Sequence, residues 1–284
     1  MKIVAYLGIP GSYSYLAARR QFAGTGFEFV GASSFRAIFT GIENGNFDYG
    51  MIPVENSLAG SVYDNYDLLH QHDVAVVGEQ YLKIDLHLLG TKSSMQPATR
   101  LEHISKVVSH YKALEQCDRF LANHPWIKSE IHSDTAGAAK FVADQKDPFL
   151  AAIASRETAE IYGLDILAEN VQDNEFNYTR FLVIAKEPEA AEAPNKCSII
   201  FTVSHKPGSL FAALQALAEG KMNLDKIESR PIAGKPFEYI FYVDFDWNGS
   251  SLADVQSILE KFKKSTNSLK VLGFYPGGVI PQTA

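Results

Sequence analysis

The chain has 284 residues, roughly twice the ~150 of a typical domain, so two domains are expected. Hydrophobic residues make up 46% and charged residues 21%, an ordinary globular balance that excludes a disordered or low-complexity chain. A net charge of −7 without any basic run argues against nucleic acid as a partner, and apolar runs such as Ile199–Val203 fall far short of the roughly 20 residues a membrane-spanning helix needs.

In chain order, the first apolar stretch is stopped by Pro10-Gly11 and reads as a strand, not a signal peptide. Strands are expected at Ile3–Leu7, Phe27–Val30, Tyr49–Val54, Lys106–Ser109, Glu130–His132, Leu150–Ile153 and Arg180–Ile184. Helices are expected at Tyr13–Gln21, Phe35–Glu43, Ala113–Ala122, Thr135–Ala143 and Arg156–Tyr162. This alternation argues for α/β units on largely parallel sheets. Val74–Leu89 has strand character throughout, and at about 3.3 Å per residue it would span roughly 50 Å unbroken. It is therefore expected to cross between two lobes, with a return near Asp173–Arg180 and a ligand cleft between the lobes. Thr91–Arg100 reads as a polar surface loop. Residues 186–195, in the Glu-, Ala- and Pro-rich stretch Lys186–Lys196, form a linker between a region 1–185 and a region 196–275. The second region reads strand Ser198–Val203, helix Leu210–Glu219, strands Asp225–Pro231 and Tyr239–Phe245, helix Leu252–Lys263, strand Leu269–Phe274. That βαββαβ order is the ferredoxin-like arrangement.

Residues 1–195 carry 16 Lys and Arg against 25 Asp and Glu, so an anionic ligand there must be held by local donors, not by net charge. Four segments supply hydroxyls at strand-to-helix or loop transitions: Gly8–Ser14 with Ser12 and Ser14, Glu55–Ser61 with Asn56 and Ser57, Ser133–Ala136 with Thr135, and Asn177–Phe181. Helix N-termini present unpaired N–H groups and partial positive charge, which suits a carboxylate or phosphate. Plain N-capping is the better account of any one of them, and it is their combined occurrence in one two-lobed region that points to an anion site. Arg180 is a natural bidentate partner for a carboxylate, or a surface ion pair. Glu55 is placed at a strand end facing the crevice, or caps the next turn. No P-loop, Gly-x-Gly-x-x-Gly or Gly-x-Ser-x-Gly motif is present. His70-Gln71-His72-Asp73 lacks a completing ligand set and reads as a solvated helix end, so no metal is expected. Cys117 and Cys197 suggest neither a disulfide framework nor a zinc site; Cys117 reads as core, and a reducing cytoplasm is the simplest setting.

Taken together, Gly8–Ser14, Ile52-Pro53-Val54-Glu55-Asn56-Ser57 with Gly60 and Val62, Asp134-Thr135-Ala136, and above all Asn177-x-Thr179-Arg180-Phe181 resemble the prephenate dehydratase family over residues 1–185. Residues 196–275 resemble an ACT domain, in which Pro207-Gly208-Ser209-Leu210 and Ile227-Glu228-Ser229-Arg230-Pro231 are similar to the two phenylalanine-binding motifs. Ser109-His110-Tyr111-Lys112 departs from the family's usual Ser-His-Pro-Gln. The resemblance implies a two-lobed catalytic domain like type II periplasmic binding proteins. It also implies decarboxylating dehydration of prephenate to phenylpyruvate, with no cofactor because aromatisation drives the reaction. By the same resemblance, Thr179 acts at the leaving hydroxyl; Ser12, Ser14, Glu55, Asn56, Ser57, Thr135, Asn177, Arg180 and Phe181 bind substrate. Gly208, Ser209, Leu210, Asn223, Leu224, Glu228, Ser229 and Arg230 bind L-phenylalanine as inhibitor between ACT domains of a homodimer or homotetramer. Arogenate in place of prephenate, and a non-catalytic amino-acid sensor, are the alternatives; the intact Thr-Arg-Phe favours the enzyme.

Overall fold

The computed structural model describes residues 1–93, 100–191, 193–232 and 234–281, and among these three sheets form. In the first, β1 (Lys2–Leu7) lies parallel between β2 (Phe27–Ala32) and β3 (Tyr49–Asn56), and the order continues through β11 (Tyr178–Ala185) to β5 (Ala75–Lys83). A short β4 (Gly60–Ser61) folds back on the end of β3. The second sheet has the order β10 (Asp165–Ala168), β6 (His87–Gly90), β9 (Leu150–Ala154), β7 (Lys106–Ser109) and β8 (Lys128–Ile131). The third runs β13 (Asn223–Pro231), β14 (Tyr239–Asp246), β12 (Lys196–Thr202) and β15 (Ser268–Tyr275), antiparallel throughout, with α8 (Ser209–Glu219) and α9 (Leu252–Lys263) completing the expected βαββαβ unit.

The long apolar segment is two strands joined by a crossing. β5 ends in the first sheet at Lys83, β6 begins in the second at His87, and between them Ile84 N–H donates to Asn177 (2.8 Å) while Leu86 C=O accepts from Val171 N–H (2.8 Å). The two crossing chains are thus tied to each other where the lobes meet. Part of the expected loop at 91–100 lies outside the described residues.

Helices begin where the sequence offers a cap. Ser12 accepts from Tyr15 N–H before α1 (Tyr13–Gln21), Ser34 from Ala37 N–H before α2 (Phe35–Glu43), and Asp134 from Gly137 N–H before α6 (Thr135–Gln145). Ser155 does the same for α7 (Arg156–Tyr162), which ends at the left-handed Gly163. The expected helix Ala113–Ala122 is instead α4 (Tyr111–Glu115) and α5 (Asp118–Ala122), broken at Cys117. His72 is not solvated: it follows α3 (Tyr63–Gln71), is 12% exposed, meets Glu43 at 2.8 Å and packs beside Phe39. Both cysteines are free and buried. Burial pushes the Cys117 thiol up to about 12, with Asp173 adding to the effect, and pushes Cys197 well above its usual value. Because the thiolate is the reactive form, the folded chain is expected to react with essentially no thiol reagent at pH 8, and to release two equivalents in denaturant. Fast titration of either thiol in the native protein would contradict this packing.

Each sheet buries its faces differently. β11 alternates, sending Phe181, Val183 and Ala185 into a core with Val4, Tyr6, Met51 and the Ala17–Ala18 stripe of α1. Leu182 and Ile184 point the other way, into a core shared by Ile52, Ile38 and Phe39 with Ile200, Ile240, Tyr242 and Leu272 of the third sheet. The βαββαβ unit therefore has two covered faces. α8 and α9 pack on Ile199, Phe201, Val243 and Phe245, and the first lobe packs on the other side. Gly273 marks the closest approach, since a Cβ there would sit 2.0 Å from the Val76 carbonyl oxygen of β5.

Candidate active site

A cavity of about 710 Å³ lies between the two lobes. Its first-lobe wall is the C-terminal end of β1 (Leu7, with Gly8 and Ile9 beyond it), Pro53 of β3, and Thr179 and Phe181 of β11. The second lobe contributes His110, Ser133, Asp134 and Thr135. Among the described residues, the wall carries hydroxyls and helix starts but neither lysine nor arginine. Ser12, Tyr13 and Ser14 open α1, Ser33 precedes the cap of α2, His110 precedes α4, and Thr135 opens α6. Burial, helped by Lys112, pulls the His110 pKa below its usual value, which favours the neutral ring. Unpaired helix N–H groups and hydroxyls are suited to hold an anion here. β1 and β2 meet closely at the rim, where a Cβ on Gly31 would lie 2.2 Å from the Gly8 carbonyl oxygen.

Thr179 is held from behind. Asn56 Oδ1 accepts from the backbone N–H groups of Leu58 (3.0 Å) and Ala59 (2.8 Å), which fixes its amide orientation. Nδ2 then donates to Thr179 Oγ1 (3.0 Å) and Asn177 Oδ1 (2.7 Å). Because Thr179 Oγ1 accepts from Asn56, its own proton is left to donate elsewhere, and the residue lines the cavity. An N–H donated into the oxygen also polarises the O–H bond.

The other expected residues are not all brought to the cavity. Ser12, Ser14, Thr135 and Phe181 line the cavity with Thr179, whereas Asn56 and Asn177 stand behind it. Asn177 is 1% exposed and also donates to Gln116 (3.1 Å). Ser57 staples the loop, donating to Phe176 C=O (2.9 Å) and accepting from Tyr178 N–H (2.9 Å). Glu55 and Arg180 do not reach the cleft. Glu55 accepts from Lys226 Nζ (2.7 Å), and the Arg180 guanidinium, on the opposite face of β11 from Thr179, is buried against Glu79 and Asp244. The neighbours of a strand residue point to the other face, so Arg180 cannot share the cavity with Thr179 and Phe181. Tyr13, His110, Ser33 and Asp134 are wall residues the motif reading missed as ligands; each stands at a strand-to-helix junction, the signal that found the others.

In the third sheet, Ser209 and Leu210 line a separate cavity of about 390 Å³ with Lys206, Glu238 and Tyr239, beside Gly208, whose φ of 82° is left-handed. Glu228 and Arg230 are not free to meet a neighbouring subunit. Glu228 accepts from Ser61 (2.6 Å) and Arg230 forks onto Asp67 (2.8 and 3.1 Å), both in the first lobe of the same chain. Ser229 faces outward between them, Leu224 packs toward the helices, and Asn223 bonds to Asp225 (3.1 Å).

The family model described as prephenate dehydratase matches residues 4–189, the two-lobed part with its Thr179-Arg180-Phe181 strand. The chain belongs to the prephenate dehydratase family. With that membership comes its enzyme class, a carbon–oxygen lyase. The chain is 40% identical to "Arogenate dehydratase 1" of Petunia hybrida, over 98% of this chain and 68% of the relative. It is 37% identical to the "Bifunctional chorismate mutase/prephenate dehydratase" of Escherichia coli (strain K12), over 98% and 72%. The crystal structure of a prephenate dehydratase in complex with L-Phe from Arthrobacter aurescens superposes with a TM-score of 0.84 at 24% identity, over 96% of this chain and 89% of that one. This likeness takes in the βαββαβ unit, which lies beyond the family match. No helix among the described residues is long and apolar enough to cross a membrane, and they contain no cluster of metal-ligating side chains.

Proposed function

We propose that the chain converts prephenate to phenylpyruvate in the cleft between the lobes, with Thr179 acting at the leaving hydroxyl. The observation that carries this reading is the Asn56–Thr179 hydrogen bond, which leaves the threonine proton for the cavity. In the reaction the bond from the ring to its carboxylate breaks, the carboxylate leaving as CO2 while the electron pair of that bond enters the ring. The C–O bond at the opposite carbon breaks with its pair, and the departing hydroxide takes up a proton as water; the ring becomes aromatic without net oxidation. A free threonine is a weak acid, so a polarised hydrogen bond to the departing oxygen, or a relay, fits better than full proton transfer. The helix starts at Ser12 and Thr135 supply donors for the two carboxylates, and Phe181 supplies an apolar wall for the ring.

Arogenate carries an ammonium where prephenate has a ketone. Asp134, an acidic residue of the described cavity wall, is engaged as the cap of α6, its oxygens accepting from Gly137 N–H (2.7 Å) and Ser133 (3.1 Å). The relative from Petunia hybrida favours arogenate as the second reading. Purified protein given each compound in turn, with the product identified, tests both: phenylpyruvate from prephenate is expected, faster turnover of arogenate to phenylalanine would reverse the preference, and no turnover of either would overturn the assignment. L-Phenylalanine as an inhibitor at the Gly208–Leu210 cavity fits its size and its helix start, and the open edge of β13, with Ile227 and Ser229 outward, suits pairing with a second copy in a dimer or tetramer. Two buried free thiols suit a reducing cytoplasm.

A further inference from the structure

Arg180 belongs to a buried ionic cluster that the cleft chemistry does not use. Its Nε donates to Glu79 Oε2 (2.6 Å), Nη1 to Asp244, and Nη2 to the Tyr275 hydroxyl (3.3 Å). Asp244 also accepts from Ser198, which meets Tyr275 at 2.6 Å, and Glu79 Oε1 accepts from Lys196 Nζ (2.9 Å). The four charged side chains are 1–8% exposed. Burial works against the charge on Arg180, but Asp244, Tyr275 and Glu79 overcome it and raise its pKa well above the usual value. Glu79 and Arg180 come from the first lobe, whereas Lys196, Ser198, Asp244 and Tyr275 come from the βαββαβ unit.

A buried ion cluster is weak evidence for stability, because a well-packed apolar substitute often does as well. What an arginine fork provides is a fixed geometry. Geometry matters here because β11 is poorly held by β3 at this point. Arg180 pairs with Glu55 and Phe181 with Pro53, which leaves Val54 as an extra residue in a bulge, and proline has no N–H to give the ladder. Thr179 and Phe181, the two cavity residues of β11, flank Arg180, whose guanidinium is anchored from outside the lobe.

We propose that Asp244 is a positioning residue for the reaction: by clamping Arg180 it holds the end of β11 that faces the β3 bulge, so that the Thr179 hydroxyl is aimed into the cleft. The C-terminal unit thereby completes the catalytic half of its own chain. The inference rests on the role given to Thr179, and the test separates the two. In the full-length enzyme, Asp244→Asn keeps the side-chain shape and removes the charge; Ser198→Ala removes one of the contacts that orient Asp244, and serves if the first variant does not fold. Lys270→Met is the control, since Lys270 lies on the same interface but bonds the carbonyls of Leu69 and His72. Small misplacements of a reacting group cost up to about 100-fold, so Asp244→Asn is expected to lower kcat by about 10- to 100-fold with KM within about twofold. Ser198→Ala should move kcat in the same direction by less, and Asp244→Glu, which keeps the charge, should restore part of the loss. Lys270→Met should keep kcat at an equal or larger loss of melting temperature. Unchanged kcat in Asp244→Asn, or kcat losses that simply follow melting temperature across all these variants, would overturn the proposal. Full activity in Thr179→Ala would instead overturn the role of Thr179 itself.

Discussion

Thr179→Ala is expected to lower kcat by about 10²–10³-fold, the effect of removing one preorganised donor worth roughly 2.7–4 kcal/mol in the transition state. The fold should be little affected, because the side chain is only partly buried and makes one side-chain hydrogen bond, to Asn56. Thr179→Ser should retain much of the rate, since Asn56 still orients the oxygen and the hydroxyl proton still has the cleft before it. The loss should fall on kcat more than on KM, because a contact to the departing oxygen strengthens only as charge develops there. Steady-state kinetics on the three proteins checks this, alongside their melting curves. A serine variant as inactive as the alanine variant would exclude the hydroxyl as the acting group.

Removing residues 196–284 is expected to abolish a soluble, cooperatively folded catalytic half. The cut strips the third sheet from Ile52, Val76, Leu182 and Ile184, buried at 0–2% exposure, and leaves Arg180 and Glu79 without Asp244 and Lys196. An exposed apolar patch of that kind favours aggregation. The milder counterpart is Gly273→Ala, whose methyl group would press on the Val76 carbonyl oxygen at 2.0 Å. That oxygen belongs to a strand paired in the middle of the interface and cannot turn aside, so the cost should meet or exceed the roughly 1–3 kcal/mol of ordinary overpacking. Sedimentation and thermal unfolding of the 1–195 fragment and the point variant test both. A monomeric fragment melting within a few degrees of the full chain would show that the shared core is dispensable. Removing the C-terminal unit is consequently a poor way to ask where an inhibitor binds, since loss of folding and loss of regulation would arrive together.

Much of this was legible beforehand. The α/β alternation, the crossing near Val74–Leu89 and the βαββαβ order follow from apolar periodicity, and Ser12 and Asp134 stand in segments already readable as N-caps. Of α3 only the end near His70–Asp73 was read, because Val62 at its start offers no side-chain cap. Within the site, the hydroxyls at helix starts were found because their chemistry is local. Arg180 was assigned to the cleft because arginine suits carboxylates, although the alternation of β11 already set it opposite Thr179 and Phe181. Its partner Asp244 is 64 residues away, in a different sheet. Glu55 with Lys226 and Arg230 with Asp67 failed for the same reason: ion pairs across a docking interface leave no trace in local spacing.

The division of labour along β11 sets a rule for making the catalytic half independent. Odd positions face the cleft at 179 and 181 and the core of their own lobe at 183 and 185, and even positions from 180 to 184 face the third sheet. A stand-alone version would be a resurfacing problem: polar side chains at 182, 184, 52 and 76, together with an uncharged pair in place of Arg180 and Glu79, while 179 and 181 stay untouched. Modularity in this chain is therefore not found at the linker, where the composition changes. It is woven residue by residue into a single strand.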